Sequence, residues 1–149
     1  MTVEVDQSGR IEDLSTGTAI AFSNGIHDAI FVNAGTKRKL IVKLRRTSFI
    51  PAKDLPAIIF SVVLFILITD YSIDVLKIDE EYTGKNEIIE ETIKKLFLRS
   101  RKKRIPYVRF VRIGKQSPAH KLAWEVHRLK GRLRHAKRVS EKKILKYVE

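Results

Sequence analysis

Residues Thr2–Gly9 read TVEVDQSG, and this stretch decides the fold. Valines at positions 3 and 5 alternate with acidic residues at positions 4 and 6, and a serine and a glycine then end the pattern. Alternation with a period of two predicts a β-strand. We expect this strand to lie near the centre of a sheet and to hold Asp6 at the surface where the strand ends. The alternative is an ordinary strand with Asp6 in its turn.

The composition indicates one folded domain with a core of its own. The chain has 149 residues, of which 44% are hydrophobic, and this length is enough to bury a substantial apolar interior. It contains no cysteine, which excludes a disulfide scaffold, a thiol nucleophile and a thiolate zinc site. No signal-peptide pattern opens the sequence, so we expect a cytoplasmic location.

The charge is unevenly distributed along the chain. The net charge is +13, and residues 94–149 carry 20 Lys and Arg against 3 acidic residues, a net charge of +17. Residues 1–93 carry a net charge of −4. Such a separation predicts a polyanionic partner, with nucleic acid as the first candidate and an anionic membrane surface as the second.

Two further strands are predicted in the first third of the chain, at Thr18–Ser23 and Ala29–Asn33. The link between them is short and contains Asn-Gly, which favours an antiparallel pair. The following stretch Thr36–Arg46, TKRKLIVKLRR, is compatible with an extension of the third strand or with a short basic helix.

The most apolar run of the chain is Leu55–Ile68, LPAIIFSVVLFILI. A membrane-spanning helix needs about 20 apolar residues, and this run is shorter. A helix that is apolar on all sides is typical of a core helix covered by a sheet. We therefore predict a buried helix here and no membrane span.

The remaining chain alternates between strands and helices. The predicted elements are a strand at Ser72–Ile78, a helix from Asn86 to about Lys102, a strand at Tyr107–Ile113, a helix that begins at Pro118 with Ser117 as its N-cap, and a short last helix at Glu141–Val148. The order β-β-β-α-β-α-β-α predicts a mixed α/β (α+β) fold, with helices packed on a five-stranded mixed sheet.

Four stretches, in this order, resemble ribonuclease H. They are VEVDQSG, KDLPAIIFSVVLFIL, VLKIDEEYTGKNEIIEETIKKL and VRFVRIGKQSPAHKLAWEV. They resemble the first strand, the first helix, the fourth strand with its following helix, and the closing strand and helix of that family. The resemblance to the ribonuclease H-like superfamily extends over most of residues 1–131, which we assign to one domain, and residues 132–149 form a basic C-terminal extension.

The resemblance implies a divalent-metal-dependent nuclease. In this family a carboxylate cluster holds two Mg²⁺ or Mn²⁺ ions about 4 Å apart, and they promote phosphodiester hydrolysis in RNA or DNA. Carried over, Asp6 bridges both ions, Asp54 binds one, Asp79 completes the shared site, and His120 takes the last position, where the family has an acid. Glu80 is an alternative to Asp79.

Two departures from the family bear on these assignments. Asp54 precedes Leu55-Pro56, so it is also a candidate helix N-cap. The histidine-containing turn typical of ribonuclease H is replaced by Lys115-Gln116, which weakens the assignment to RNA–DNA hybrids in particular.

Basic residues of the second half are the predicted nucleic-acid contacts. They are Arg101, Lys102, Lys103, Arg104, Arg109, Arg112, Lys115, Arg128, Lys130, Arg132 and Arg134. Trp124, four residues after His120, either stacks a base or packs beside the apolar stripe of its helix. His127 is either a phosphate contact or a solvated side chain.

Three functions remain open on sequence grounds. The first is a metal-dependent nuclease with Asp6, Asp79 and His120 as catalytic residues. The second is a non-catalytic nucleic-acid-binding protein that keeps the same fold. The third is a peripheral membrane protein that uses its basic tail.

Overall fold

A computed structural model describes residues 1–102, 104–132 and 136–148. The predicted nucleic-acid contacts Lys103 and Arg134 lie outside the described residues. The described chain forms a mixed α/β fold built on one sheet, with strands β1 (Thr2–Ser8), β2 (Thr18–Asn24), β3 (Ile26–Val32), β4 (Val75–Asp79), β5 (Tyr107–Val111) and β6 (Lys137–Arg138).

β1 lies inside the sheet, as its sequence predicts. The strand order is β5-β4-β1-β2-β3-β6. β1 pairs with β2 in antiparallel and with β4 in parallel orientation, β3 is antiparallel to β2, and β5 is parallel to β4. The sheet is therefore a meander on one side of β1 and a set of parallel strands on the other.

Five helices accompany the sheet, namely α1 (Ala34–Thr47), α2 (Leu55–Ile68), α3 (Asn86–Arg99), α4 (Pro118–Arg128) and α5 (Glu141–Val148), with a 3-10 turn at Ala52–Asp54. The predicted order lacked three elements of this fold, α1, β6 and α5, of which α5 was predicted separately at Glu141–Val148. The prediction of five strands is one strand short because β6, only two residues long, pairs with β3 at the sheet edge.

The ambiguous stretch after β3 is helical because Asn33 caps it. The Asn33 side chain accepts a hydrogen bond from the backbone N–H of Thr36 at 2.7 Å, and asparagine is a favoured N-cap residue. Leu40, Ile41 and Leu44 then fall on one buried face of α1. The chain therefore leaves the sheet at Asn33.

Lys37 ties α1 to the turn that follows β1. Its side chain is fully buried, and its ammonium donates hydrogen bonds to the carbonyl oxygens of Arg10 and Asp13 and to the hydroxyl of Thr18, at 2.6–3.0 Å. Burial lowers the pKa of Lys37 to about 8. These contacts order the segment between β1 and β2, which lies beside the end of the central strand.

α2 forms the centre of the main core. Twelve of its 14 residues are buried, as predicted from its uniformly apolar sequence, and Ile58 is half-buried. Within the described residues, no helix has both the length and the apolar character needed to cross a membrane. The burial of α2 explains why the run Leu55–Ile68 carries almost no polar side chain.

The C-terminal segment contributes to the same core. Ile144 of α5 is fully buried, and the rings of Tyr147 and Phe65 lie 5.4 Å apart. The predicted basic extension thus adds an edge strand and a helix to the domain.

α4 alone covers the other face of the sheet, and it covers only part of it. Ala123 and Val126 of α4 pack with the small residues Ala19, Ala21 and Ala29 of β2 and β3. On the same face of β4 and β5, Lys77 is half-buried, and Tyr107 and Arg109 are exposed. We call the part of this face that α4 leaves uncovered the open sheet face. Within the described residues it consists of Lys77, Asp79, Tyr107, Arg109 and Val111.

Candidate metal centre on the open sheet face

The register of β1 and β4 brings Asp6 and Asp79 together. Val5 pairs with Ile78 in the parallel ladder, so the next residues of the two strands lie side by side. Val5 and Ile78 point into the main core, and because side chains alternate between faces, Asp6 and Asp79 project from the opposite face. Neighbouring strands are about 4.8 Å apart, which places the two carboxylates in reach of one ion.

Glu81 completes a group of three carboxylates. One oxygen each of Asp6, Asp79 and Glu81 lies within 4.8 Å of the others. Asp6 is buried, and the other two side chains are half-buried. The chain reaches Glu81 immediately beyond β4, just before the buried Tyr82, whose hydroxyl donates to Gln7 Oε1 at 3.1 Å. That contact anchors the turn.

Backbone amides fix two of these carboxylates. Asp6 Oδ1 accepts from the N–H of Gln7 at 2.8 Å, and Asp79 Oδ1 accepts from the N–H of Ile113 at 2.7 Å. The second bond links the end of β4 to the segment after β5. The second oxygen of Asp6 contacts His120, and the Asp79 carboxylate hydrogen-bonds the Glu81 side chain.

The acidic group is short of positive charge. Burial raises the pKa of Asp6, and its bond to His120 only partly opposes this. Burial, then the hydrogen bond to Asp79, then the charges of Asp79 and Asp6 raise the pKa of Glu81 to about 7, against a small opposing effect of Arg10. A proton therefore stays on the group near neutral pH, as expected for carboxylates crowded together without a cation.

His120 contacts this group through Asp6. Its Nδ1 atom lies 2.8 Å from Asp6 Oδ2, and its side chain is 36% exposed. The structure thus brings together all three predicted catalytic residues, Asp6, Asp79 and His120. The imidazole ring lies at the edge of the carboxylate group, and its Nδ1 atom contacts Asp6.

A ladder of side chains positions α4, and with it His120, along β1. Residues 4, 6 and 8 point to the same face of β1, and each bonds one side chain of α4 or its cap. Glu4 accepts from the hydroxyl of Ser117 at 2.8 Å, Asp6 bonds His120, and Ser8 bonds His127 Nδ1 at 2.9 Å.

His127 is a structural residue in this arrangement. Its second nitrogen, Nε2, lies 2.8 Å from the hydroxyl of Thr16. Burial, followed by the charge of Lys37, lowers the pKa of His127. A Cβ atom at Gly9, where φ is 78°, would lie 2.8 Å from His127 Nε2, so the turn after β1 needs a glycine. Both earlier interpretations of His127, a phosphate contact and a solvated side chain, were wrong.

Two predicted ligands, Asp54 and Glu80, are not in the three-carboxylate group. Asp54 Oδ1 accepts from the ammonium of Lys85 at 2.7 Å. It occupies the N-cap position of α2 without a side-chain capping bond. Glu80 accepts from the side-chain amide of Asn86 at 3.3 Å. The ion pair with Lys85 therefore holds Asp54 outside the group, and the hydrogen bond to Asn86 holds Glu80 in the turn after β4.

Glu81 was missed by the sequence analysis. The run Asp79-Glu80-Glu81 had been assigned to the strand end, with Asp79 and Glu80 as alternatives. The period of two offered a signal, because Asp79 and Glu81 are two residues apart and Glu80 points elsewhere. Continuing the alternation past the last strand residue would have selected Glu81.

The predicted basic contacts fall into two groups. Arg109 lies on the open sheet face, where it pairs with Lys77 one row below the carboxylates. Arg112 and Lys115 are exposed in the segment after β5 that holds Asp79. Arg128, Lys130 and Arg132 are exposed at and beyond the end of α4.

Arg101, Lys102 and Arg104 lie at the other end of the sheet. Arg104 forms an ion pair with Asp74, next to the start of β4. Asp79 is at the end of that strand, and five residues of extended chain span roughly 16 Å. The basic end of α3 is therefore remote from the carboxylates.

Comparison of this chain with protein-family models, with curated proteins and with solved structures gives no significant match. The functional argument therefore rests on the site.

Proposed function

We propose that this protein is a divalent-metal-dependent nuclease of ribonuclease H-like type that hydrolyses phosphodiester bonds in RNA or DNA. One observation carries the proposal. Asp6, Asp79 and Glu81 converge to within 4.8 Å at the border between the part of the sheet that α4 covers and the open sheet face. Among the described residues, the three carboxylates have only His120, bonded to Asp6, and the charge of Arg10 near Glu81 to offset their mutual repulsion, so a bound cation would stabilise the cluster.

The donor set fits Mg²⁺ or Mn²⁺. Both ions prefer carboxylate oxygens, and Mn²⁺ also accepts imidazole. When bound at such a site, these ions stabilise charge on a reacting phosphoryl group and activate water. Burial and the neighbouring carboxylates raise the pKa of Glu81 to about 7, so a cation bound there would release a proton near neutral pH and reduce the repulsion between the carboxylates.

The chain's own residues have distinct roles in this proposal. Backbone N–H groups hold one oxygen of Asp6 and one oxygen of Asp79, which fixes the orientation of both carboxylates. His120 orients the second oxygen of Asp6 and offers a nitrogen ligand at the rim of the site. Lys77 and Arg109, paired in the next row of the sheet, provide cations for the phosphate backbone.

The sheet arrangement supports the resemblance on which the nuclease assignment rests. The element order of the ribonuclease H-like superfamily has three meander strands followed by strand–helix alternation. Here the meander β1-β2-β3 lies on one side of β1, and the parallel strands β4 and β5 lie on the other. Asp79 ends β4, whereas Asp6 lies buried two residues before the end of β1, so the prediction that Asp6 lies at the surface where its strand ends was wrong.

The test is cleavage of labelled hybrid, junction, duplex and single-stranded substrates with Mn²⁺ or Mg²⁺. We expect Asp6→Asn to lower cleavage by more than about a hundredfold, the upper range for changes to groups that only support a metal ligand. Asp54→Asn is the matched control and should retain most activity, because Asp54 pairs with Lys85. Because of His120, Mn²⁺ should support faster cleavage than Mg²⁺.

Equal cleavage by the wild type and Asp6→Asn would mean that the activity comes from another site or a contaminant. Binding without cleavage in every metal would leave the non-catalytic nucleic-acid-binding protein as the better description.

A further inference from the structure

Trp124 is an exposed aromatic residue on α4, one helical turn beyond His120. It is 55% exposed and lies on α4 four residues after His120, which bonds Asp6. Residues four apart on a helix share one face and are separated by about 6 Å along the axis. The indole therefore lies one helical turn from the histidine at the rim of the site.

The core does not account for this tryptophan. The sheet-facing positions of α4 are Ala119, Ala123 and Val126, which are fully buried. Leaving more than half of a tryptophan in water forgoes much of the free energy that its burial provides. An exposed aromatic ring beside cationic side chains is the arrangement on which single-stranded nucleic acids stack their bases.

The surroundings of the ring are cationic. The guanidinium of Arg128 lies 5.2 Å from the ring centroid of Trp124, a cation–π distance. A shallow cavity of about 380 Å³ is lined by His120, Lys121, Trp124, Glu125 and Arg128. It combines a stacking surface with two cations suited to phosphate.

We propose that Trp124, with Lys121 and Arg128, binds an unpaired nucleotide of the strand that is cleaved at the carboxylate group. The base stacks on the indole, and the two cations contact the adjacent phosphates. A base inside a duplex already has both faces stacked on its neighbours, so it cannot offer one to the indole. The substrate class is therefore RNA or DNA with a single-stranded segment at the cleavage site.

This inference rests on the proposed function for the identity of the ligand, but its test requires no catalysis. The chain contains one tryptophan, so its intrinsic fluorescence reports on Trp124 alone. Three labelled probes are titrated in EDTA: a short oligothymidylate, an abasic oligomer of equal length, and a blunt duplex. Anisotropy of the label measures binding, and tryptophan emission measures stacking.

We expect the oligothymidylate to quench the emission and the abasic oligomer and the duplex to bind without quenching. Stacking on an aromatic residue contributes to affinity by roughly five- to 150-fold per base. Trp124→Leu should therefore weaken oligothymidylate binding within this range and leave binding of the abasic oligomer unchanged.

Phe49→Leu is the control variant. Phe49 is fully exposed in the connection between α1 and α2, two helices that pack on the other face of the sheet. Replacing Phe49 should leave the binding of all three probes and the quenching of tryptophan emission unchanged.

The stacking inference is wrong if the oligothymidylate binds without quenching, if the duplex quenches equally, or if Trp124→Leu binds as the wild type does. In each case the nuclease proposal survives. Quenching in the wild type is decisive even if Trp124→Leu does not fold. Failure of all three probes to bind would overturn the stacking inference and the nuclease proposal together.

Discussion

At the scale of single residues, the carboxylate group is electrostatically unfavourable when no cation is bound. Three acidic side chains converge on one face, and burial together with the neighbouring Asp79 raises the pKa of Glu81 to about 7. An acid whose pKa is raised on folding lowers the free energy of unfolding as the pH rises from the unfolded-state pKa toward the folded-state pKa. Above pH 7 the ionised group is destabilising unless a cation is present.

We therefore predict that Glu81→Gln stabilises the metal-free protein at pH 8. The gain should be about 1 kcal/mol, since one pKa unit corresponds to about 1.4 kcal/mol and a half-buried group is screened by solvent. Below pH 4 the two proteins should be equally stable in this respect, because Glu81 is protonated in both states. Urea unfolding at the two pH values measures the difference.

Glu80→Gln provides the matched control, since Glu80 lies outside the carboxylate group. It should leave the stability at pH 8 within about 0.5 kcal/mol of wild type, as usual for surface changes. In addition, Mn²⁺ should raise the melting temperature of Glu80→Gln more than that of Glu81→Gln. The reverse order would show that Glu80 is the ligand.

The residues of the site could be predicted in part. Asp6, Asp79 and His120 were assigned from the resemblance to ribonuclease H, which places them by the stretches VEVDQSG, VLKIDEEYTGKNEIIEETIKKL and VRFVRIGKQSPAHKLAWEV. Asp54 lies outside the carboxylate group because a partner distant in sequence, Lys85, binds it. Glu81 joins the group because a turn anchored by Tyr82 returns it to the sheet face. The pairing of Asp54 with Lys85 depends on a tertiary contact that local sequence does not contain, whereas the two-residue spacing of Asp79 and Glu81 is a local signal.

At the scale of elements, the bounds of α2 and α5 agree with the predicted ones. In α2 the apolar run and Pro56 in the first turn define the helix. α1 was left open because TKRKLIVKLRR fits both a helix and a strand, and the side-chain cap at Asn33 decided between them. β6 has no sequence signal, since a two-residue strand exists only through its pairing with β3.

The two groups of basic residues belong to different elements, and this separation can be tested. The pair Lys77 and Arg109 lies on β4 and β5, one row from the carboxylates, whereas Arg101 and Lys102 follow α3 at the other end of the sheet. We predict that Lys77→Gln with Arg109→Gln weakens oligonucleotide binding and reduces the log–log salt slope by about 0.7 per lost phosphate contact on single strands.

Arg101→Gln with Lys102→Gln removes the same charge and is the comparison. This double variant should change the log–log salt slope by less than Lys77→Gln with Arg109→Gln does. Fluorescence anisotropy over a series of salt concentrations measures both variants. A larger effect of Arg101 and Lys102 would place the binding surface at the basic end of α3.

At the scale of the whole molecule, the fold spreads over several elements the basic residues that the sequence concentrates in residues 94–149. The net charge of +17 in residues 94–149 is distributed over α3, β5, α4 and the C-terminal segment, which surround the sheet from several sides. The mixed α/β class and the central place of β1 were predictable from alternation and element order. The sixth strand was not, because it depends on a return of the chain over more than 100 residues.

The central claim is that Asp6, Asp79 and Glu81 hold a divalent metal. The most direct measurement is a crystal structure of the protein soaked in Mn²⁺, with anomalous data collected at the manganese absorption edge. We predict an anomalous peak within about 2.2 Å of oxygens of Asp6 and Asp79, the usual distance for a small divalent cation bound to carboxylates, and its loss in Asp6→Asn. Manganese peaks elsewhere with none at these carboxylates, or an equal peak in Asp6→Asn, would contradict the account.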